Sequence, residues 1–235
     1  MGEHTVTSFD EELDQIDRLI TDMGDHARRM VQNATRALLV SDAALAQNVI
    51  SDDVIMDTKQ RELDDRAITL IAKRQPMAQD LRAVVGAIRM GADLERIGDL
   101  AKNIAKRVGA VGKTVTPKVL SGSIDLMAGL VLEQVKGVID HYVSRDADAL
   151  VALRAEDEQI DIKYTSVFRE LLTYMMEDPR NITTCTHLLF CAKNLERIGD
   201  HVTNIAENAY YVTTGRQLPL NRPKQDETSI PALAE

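Results

Sequence analysis

The sequence predicts an all-α protein: six long helices forming two antiparallel three-helix bundles, one after the other. Three observations carry this reading. Apolar residues recur at the helical period over long runs, and no stretch alternates with the period of two that marks a half-buried strand. The composition is 44% hydrophobic but only 3% aromatic, with no Trp, a profile suited to helix-on-helix packing. Finally, Leu94-Glu95-Arg96-Ile97-Gly98-Asp99, followed by Asn103-Ile104-Ala105, returns as Leu195-Glu196-Arg197-Ile198-Gly199-Asp200, followed by Asn204-Ile205-Ala206. Self-similarity over a fixed distance marks a repeated structural unit.

The first helix is expected to begin at Ser8, with Glu11 three residues on completing a capping box. Leu13, Ile16, Leu19, Ile20, Met23, Ala27, Met30, Val31, Ala34 and Leu38 then keep helical spacing to about Val40. At ~1.5 Å per residue such a helix is roughly 50 Å long and needs partners of similar length. Ser41-Asp42 makes a turn and caps a second helix, which runs through Val49, Val54, Met56, Leu63 and Leu70 to about Arg74. Gln75-Pro76 stops it, because proline disfavours helical geometry in the residue before it. A third helix is expected from about Met77 to Val108. The Gly- and Thr-rich break from Gly109 to Pro117 separates the halves.

The second half repeats the plan, with helices over about Pro117 to Ser144, Asp146 to Met176 and Asn181 to Thr214, the last two parted by Asp178-Pro179. The first bundle is therefore placed at 8–110 and the second at 117–214. The tail, 215–235, reads as loop or disorder.

Charge and composition exclude several roles. A formal net charge of -9 argues against a nucleic-acid partner, since phosphate binding needs clustered Lys and Arg, and against peripheral attachment to anionic lipid. Docking to a protein embedded in a membrane stays open. No apolar run approaches the ~20 residues that span a bilayer, and the N-terminus lacks the basic-then-apolar pattern of a signal peptide. Cys185 and Cys191 are too few and badly placed for a disulfide framework. A cytoplasmic protein is the expectation.

The chemistry lies in paired acids. Glu95 and Asp99, and again Glu196 and Asp200, are four residues apart, on one helical face. The middle helix of each half adds Asp53 and Asp57, then Asp157 and Asp161, with Asp42 matching Asp146 and Val49 matching Leu153 at the same offset. At about 100° per residue, Glu95, Asp99 and Asn103 continue the stripe of Leu81, Val85, Ile88 and Ala92. Cys185, Leu189 and Ala192 lead likewise into Glu196, Asp200 and Asn204, while Asp53 and Asp57 share their side with Val49, Met56 and Leu63. Acids on helices ordinarily form a solvated face. Here they extend apolar seams, on two helices, in both halves.

Such acids repel one another, and a desolvated ion costs several kcal/mol unless compensated. Lys102 and Lys106 lie near the acids of the first half, but Thr203 and Glu207 take those places in the second, so lysine is not expected to be the shared answer. Bound metal is. All-oxygen ligands favour Mg, Ca, Mn or Fe over thiolate-type ions, and bridging carboxylates permit more than one ion per site. His201 could add a nitrogen, but its counterpart is Leu100. Gly109-Ala-Val-Gly-Lys-Thr114 lacks the first glycine and preceding strand of a phosphate loop. No Glu-x-x-His marks a ferritin-type di-iron bundle, and no Ser/His/Asp set is in place. His26, His141 and His187 are scattered singly and read as structural. Gly98 and Gly199, mid-helix at a cost of about 1 kcal/mol each relative to Ala, point to close helix approach or to room for a cluster.

The doubled Leu-Glu-Arg-Ile-Gly-Asp-x-x-x-Asn-Ile-Ala, the Asp-x-x-x-Asp pairs and the opening Phe9-x-x-Glu12-Leu13 with Met23-Gly24 resemble the PhoU family of bacterial phosphate-signalling proteins, over about Ser8 to Thr214. The resemblance implies a pseudo-symmetric pair of three-helix bundles. It also implies iron or zinc clusters, multinuclear, on Asp53, Asp57, Glu95 and Asp99, and on Asp157, Asp161, Glu196 and Asp200, with Asn103 and Asn204 on the same face; Mg and Mn fit the ligand chemistry too. The implied role is not enzymatic. It is negative regulation of the phosphate-starvation response and of phosphate uptake, by an adaptor, often a homodimer, between the ATPase subunit of the phosphate ABC transporter and its sensor histidine kinase. Two alternatives stand beside it: a metal-dependent hydrolase, because metal held by carboxylates activates water, and a metal-storage or purely structural bundle with no partner.

Overall fold

The structure is a computed structural model that describes residues 2–111 and 118–219, with side chains from residues 9 and 120 of the two segments onward. Its six helices are α1 (Gly2–Val40), α2 (Ala43–Arg74), α3 (Gln79–Val111), α4 (Lys118–Ser144), α5 (Ala147–Glu177) and α6 (Ile182–Thr214), with a 3-10 turn at Pro179–Asn181 before α6. Among the described residues there is no strand. The all-α class and the six long helices are as the sequence predicts.

The element boundaries differ in instructive places. α1 begins at Gly2, ahead of Ser8, because extending an established helix is far easier than nucleating one and no proline intervenes. α3 starts after Met77, which is 79% exposed in the turn, where Ala78 takes a left-handed backbone. It then continues through Gly109 to Val111, whose side chain is buried in the core; that burial offsets the poor helix propensity of glycine. Only Gly109 to Val111 of the expected break can be compared, since 112–117 lie outside the described residues, as do 220–235 of the tail.

The caps follow the sequence closely. Asp42 accepts a hydrogen bond from the Leu45 amide at 2.9 Å, and Asp146 from the Ala149 amide at 3.0 Å. These are the same N-cap in the two halves, each satisfying a donor the helix start leaves open. Gln75, before Pro76, closes α2 in the left-handed region at φ 49°, and Gly215 closes α6 at φ 71°. Such left-handed caps return the chain to the last carbonyls of a helix.

The helices pack as a ring of four with two flanks. α1 touches α3, α3 touches α6, α6 touches α4 and α4 touches α1; among the described residues α2 packs only on α1 and α3, and α5 only on α4, α6 and the 3-10 turn. One hydrophobic core runs through both halves, from Ile16, Met23 and Met30 to Leu195, Val202-side neighbours such as Ile205, and Ala209. α3 and α6 run antiparallel: Asp93 meets His201 and Asn204, while Arg107 meets His187 and Phe190. The outer helices α2 and α5 thus lie on opposite flanks, each against the motif-bearing helix of its own half.

A second tie joins the halves at α1 and α4. Tyr142, 1% exposed, donates to Asp17, and Arg145 Nη2 reaches the other oxygen of that carboxylate at 2.7 Å while stacking over the Tyr142 ring at 4.6 Å. Burial, and then the Asp17 charge, pushes the Tyr142 phenol above its ordinary range, so it remains a donor. Hydrogen bonds to charged groups contribute more than neutral ones. Tyr142→Phe is expected to lower stability by about 2 kcal/mol, read as a shift in the urea midpoint with an unchanged slope.

Candidate functional site

The duplicated helices bring the predicted acids together two pairs at a time. In the first half Asp53 is buried on α2, and Asp57, Glu95 and Asp99 are half-buried around it. In the second half Asp157, Asp161 and Glu196 are all buried and Asp200 is half-buried. Burial raises the affinity of Glu95 for its proton most, and the charges of Asp99, Asp57 and Asp53 add to it. Glu196 is also raised, chiefly by burial, with Asp200 and Asp161 contributing and Lys193 opposing. Each glutamate therefore feels the acids of its own helix and of the neighbouring one. Such mutual influence is what carboxylates lying near one another across two helices produce.

Lysine supplies counter-charge in both halves, from different places. Lys102 Nζ donates to Asp53 on α2 and, at 2.7 Å, to Asp99 Oδ1 on its own helix. Burial works against its charge more than any other single effect, yet the hydrogen bonds and charges of Asp53 and Asp99 together hold the ammonium well above the usual lysine range. In the second half Thr203 stands where Lys102 does, and its hydroxyl is spent on the Gly199 carbonyl at 2.9 Å. Lys193, three residues before Glu196, donates to Glu196 Oε1 at 2.9 Å and lies over the Tyr164 ring at 4.9 Å. The expectation that lysine serves only the first half is thus corrected. Lys193 escaped notice because its counterpart, Ala92, carries no charge and the repeat does not signal it.

The two mid-helix glycines differ in what they face. A Cβ on Gly98 would meet the Met56 side chain at 3.2 Å and Met30 at 3.5 Å, whereas one on Gly199 would lie 2.5 Å from Asp157 Oδ1 and 3.1 Å from Ile160. Close helix approach explains both, and at Gly199 the neighbour is itself a candidate ligand.

Other expectations about the site need revision. His201 reaches away from its cluster to α3, with Nδ1 2.8 Å from Asp93 Oδ1, and Asn204 donates to that same oxygen at 3.3 Å. Asn103 is exposed. The α3 stripe is an edge and not a core face: Leu81 and Ala92 are exposed, and Val85 and Ile88 half-buried. The single histidines make local contacts. His26 Nε2 is 3.2 Å from the Asp52 carbonyl across α1 and α2, and His187 pairs with Arg107 at 3.1 Å. Beside Glu95, where α3 crosses α6, a polar cleft of about 660 Å³ is lined by Arg89, Asp93, Arg96, His201 and Tyr211 among others. Nothing in the sequence pattern marks it.

The donor set suits a hard or borderline cation, because it is all oxygen and carries excess negative charge. Two further observations agree. Glu196 Oε2 is buried and accepts no hydrogen bond, and the Lys102 ammonium occupies a place that calls for positive charge. In the present side-chain arrangement, however, no three Asp, Glu, His or Cys side chains among the described residues stand close enough together to hold an ion.

Three variants test this account of the site. Because Glu196 is raised above its ordinary value of 4.5, the fold favours its protonated form, and that advantage is lost as pH rises through the raised value. Glu196→Gln is expected to raise the melting temperature by a few degrees at neutral pH, about 1 kcal/mol, with the gain vanishing below pH 4.5. Gly199→Ala is expected to cost about 2 kcal/mol through overpacking against Asp157. Gly98→Ala faces flexible methionines and is expected to be near neutral, as thermal melts of the pair would show.

Comparison with known proteins agrees with this duplicated geometry. The PhoU domain model matches twice, at residues 20–108 and 124–209. The chain is 58% identical over 226 residues to the phosphate-specific transport system accessory protein PhoU homolog of Rhizobium meliloti (strain 1021), covering 96% of this chain and 95% of that protein. It is 47% identical over 229 residues to the protein of the same name in Caulobacter vibrioides (strain NA1000 / CB15N), covering 97% and 100%. The crystal structure of PhoU from Pseudomonas aeruginosa superposes with a TM-score of 0.84 at 33% identity, covering 88% of this chain and all of that one. That of the phosphate transport system regulatory protein PhoU from Streptococcus pneumoniae gives 0.82 at 27% identity, covering 90% and 100%. Two tandem copies of one domain, on a fold shared with solved members and in a sequence close to theirs, place this chain in the PhoU family.

Proposed function

We propose that this protein is a negative regulator of the phosphate-starvation response and of phosphate uptake. It acts as a metal-binding adaptor between the ATPase subunit of a phosphate ABC transporter and its sensor histidine kinase. It works in the cytoplasm, as a homodimer, by binding and not by turnover. The names of its relatives, accessory and regulatory proteins of phosphate transport, support the coarse role. No helix among the described residues is long and apolar enough to cross a membrane, which is compatible with docking onto a transporter from outside the bilayer.

The observation that carries the metal reading is the twofold occurrence of one arrangement. In each half, acids of an outer helix lie near a glutamate of the motif helix that burial raises first and the neighbouring acids raise further. Asp53, Asp57, Glu95 and Asp99 would hold one group of ions, and Asp157, Asp161, Glu196 and Asp200 the other. Iron or zinc is expected by family resemblance, and Mg or Mn is compatible with oxygen ligands. Bound metal would neutralise the acids and cross-link the outer helix to the motif helix. The protein residues set where that charge sits, and the adaptor surface is the rigid bundle around it.

A clean deletion strain tests the regulatory reading, provided no paralogue substitutes. Phosphate-starvation genes are expected to become constitutive and uptake deregulated; normal repression would overturn it. Affinity purification of the native protein is expected to bring down the transporter ATPase and the kinase, which separates an adaptor from a metal store. For the metal, the purified chain is expected to carry stoichiometric ion and to melt at lower temperature after chelation, since a ligand bound only by the native state stabilises it. Protein lacking metal and indifferent to chelator would remove this part of the proposal.

A further inference from the structure

The polar cleft of about 660 Å³ where α3 crosses α6 is a built feature. The antiparallel register sets Gly86 against Val212 and Asp93 against Asn204, which puts Arg89 level with Asn208. Leu218 belongs to the wall, and the chain beside it is tied down by Arg154, which donates to the Pro219 carbonyl at 2.9 Å. The acids of the lining already have partners. Asp93 is held by His201 at 2.8 Å, Glu207 by Arg154 at 2.8 Å, and Glu95 lies 3.6 Å from Arg96. Arg89 is exposed and ion-pairs with no described residue. In the register that aligns Glu95 with Glu196, Arg89 corresponds to Phe190 and Asn208 to Arg107. There the two close on each other, the guanidinium 4.2 Å over the ring. The repeat thus covers one of these two places with its own side chains and leaves Arg89 exposed at the other.

We propose, resting on the adaptor reading above, that this cleft is the docking groove for an extended acidic peptide segment of a partner protein. Small-molecule pockets are lined mainly by apolar and aromatic side chains. Of this lining only Ala92, Leu218 and Tyr211 are of that kind, which favours a peptide. Asn204 and Asn208 stand four residues apart on α6, about 6 Å along its axis. Alternate residues of an extended chain turn their backbone groups to the same side at intervals of about 6.6 Å, so the two amides match such a segment. Asn204 spends one N–H on Asp93, and Asn208 spends one on the Asn204 carbonyl. Each amide keeps a second N–H and its oxygen for the peptide backbone. Arg89, level with Asn208, offers its planar fork to an acidic side chain. Tyr211, three residues further on, lends a ring to the residue beside it. With a formal net charge of -9, the rest of the surface repels acidic segments, so the unmatched arginine decides where one docks.

Panning a phage-displayed library of random peptides on the full-length chain tests this, with Ala92→Trp as the counter-selection. Ala92 lines the cleft and is exposed, so the indole fills the groove without entering the core. Clones that bind the wild type and not Ala92→Trp are expected, sharing an Asp or Glu at one position. The strongest clone, as a fluorescein-labelled synthetic peptide, is followed by fluorescence anisotropy. Its affinity is expected to fall at least fivefold on Arg89→Ala, on Asn208→Ala, and on exchange of its own acid for the amide. Arg36→Ala, which removes an exposed arginine of α1, is expected to leave it unchanged. Circular dichroism confirms folding of each variant. Absence of clones that distinguish Ala92→Trp, distinguishing clones without an acid, or affinity indifferent to both Arg89 and Asn208 would overturn the groove. Saturable binding of a fluorescent analogue of AMP by the wild type and not by Ala92→Trp would overturn the peptide in favour of a small molecule. None of these results touches the adaptor reading, which stands or falls on co-purification of the transporter ATPase and the kinase.

Discussion

Mutual repulsion among carboxylates at the α2/α3 and α5/α6 seams is the constraint on which the rest of the structure turns. Helix packing brings the acids together; electrostatics alone would drive them apart. The hydrophobic core supplies the force, since Val49, Met56 and Leu63 on α2 are fully buried on the same side as Asp53. Moving those residues out of water is favourable by about 1.5–3 kcal/mol each, and the acids between them are carried in with them. What the core cannot supply is charge balance. Each seam therefore recruits a lysine, and each retains a glutamate whose carboxyl is raised above its ordinary value.

The seams hold their geometry because of the helices behind them. α3 and α6 carry the two motifs and pack against each other antiparallel, with Gly86 seated against Val212 and the Asp93–His201 contact near the middle. The Asp17–Tyr142–Arg145 contact joins α1 to α4 in the same ring. With one continuous core through all six helices, the halves are poorly placed to move as independent bodies, whereas α2 and α5, each packed on its own half, have fewer restraints.

Most of the fold was legible in the sequence, because helix period, the paired Asp42 and Asp146 caps and the Pro76 stop are local signals. The grouping of the acids was legible for another reason: duplication repeats the pattern, and coincidence rarely repeats. The rest depended on contacts between distant segments. α3 packs on α1, α2 and α6 at once, so its wheel has no single apolar side, and the stripe through Leu81 and Ala92 proved to be an edge. His201 was drawn to Asp93 by a helix more than a hundred residues away in the chain. Lys193 lay outside the repeated positions, so comparison of the halves drew attention away from it.

That last point bears on how duplicated sites evolve apart. A gene duplication hands each half the same acids, and any later change that meets the charge requirement is retained, whichever residue provides it. Lys102 and Lys193 meet it from opposite sides of the motif, the first between α2 and α3, the second beside Glu196 and over Tyr164 of α5. The acids occupy the same positions in both halves, whereas the lysine beside them comes from a different position in each. Pseudo-symmetry is therefore strict in the acids and loose in the lysine that balances them.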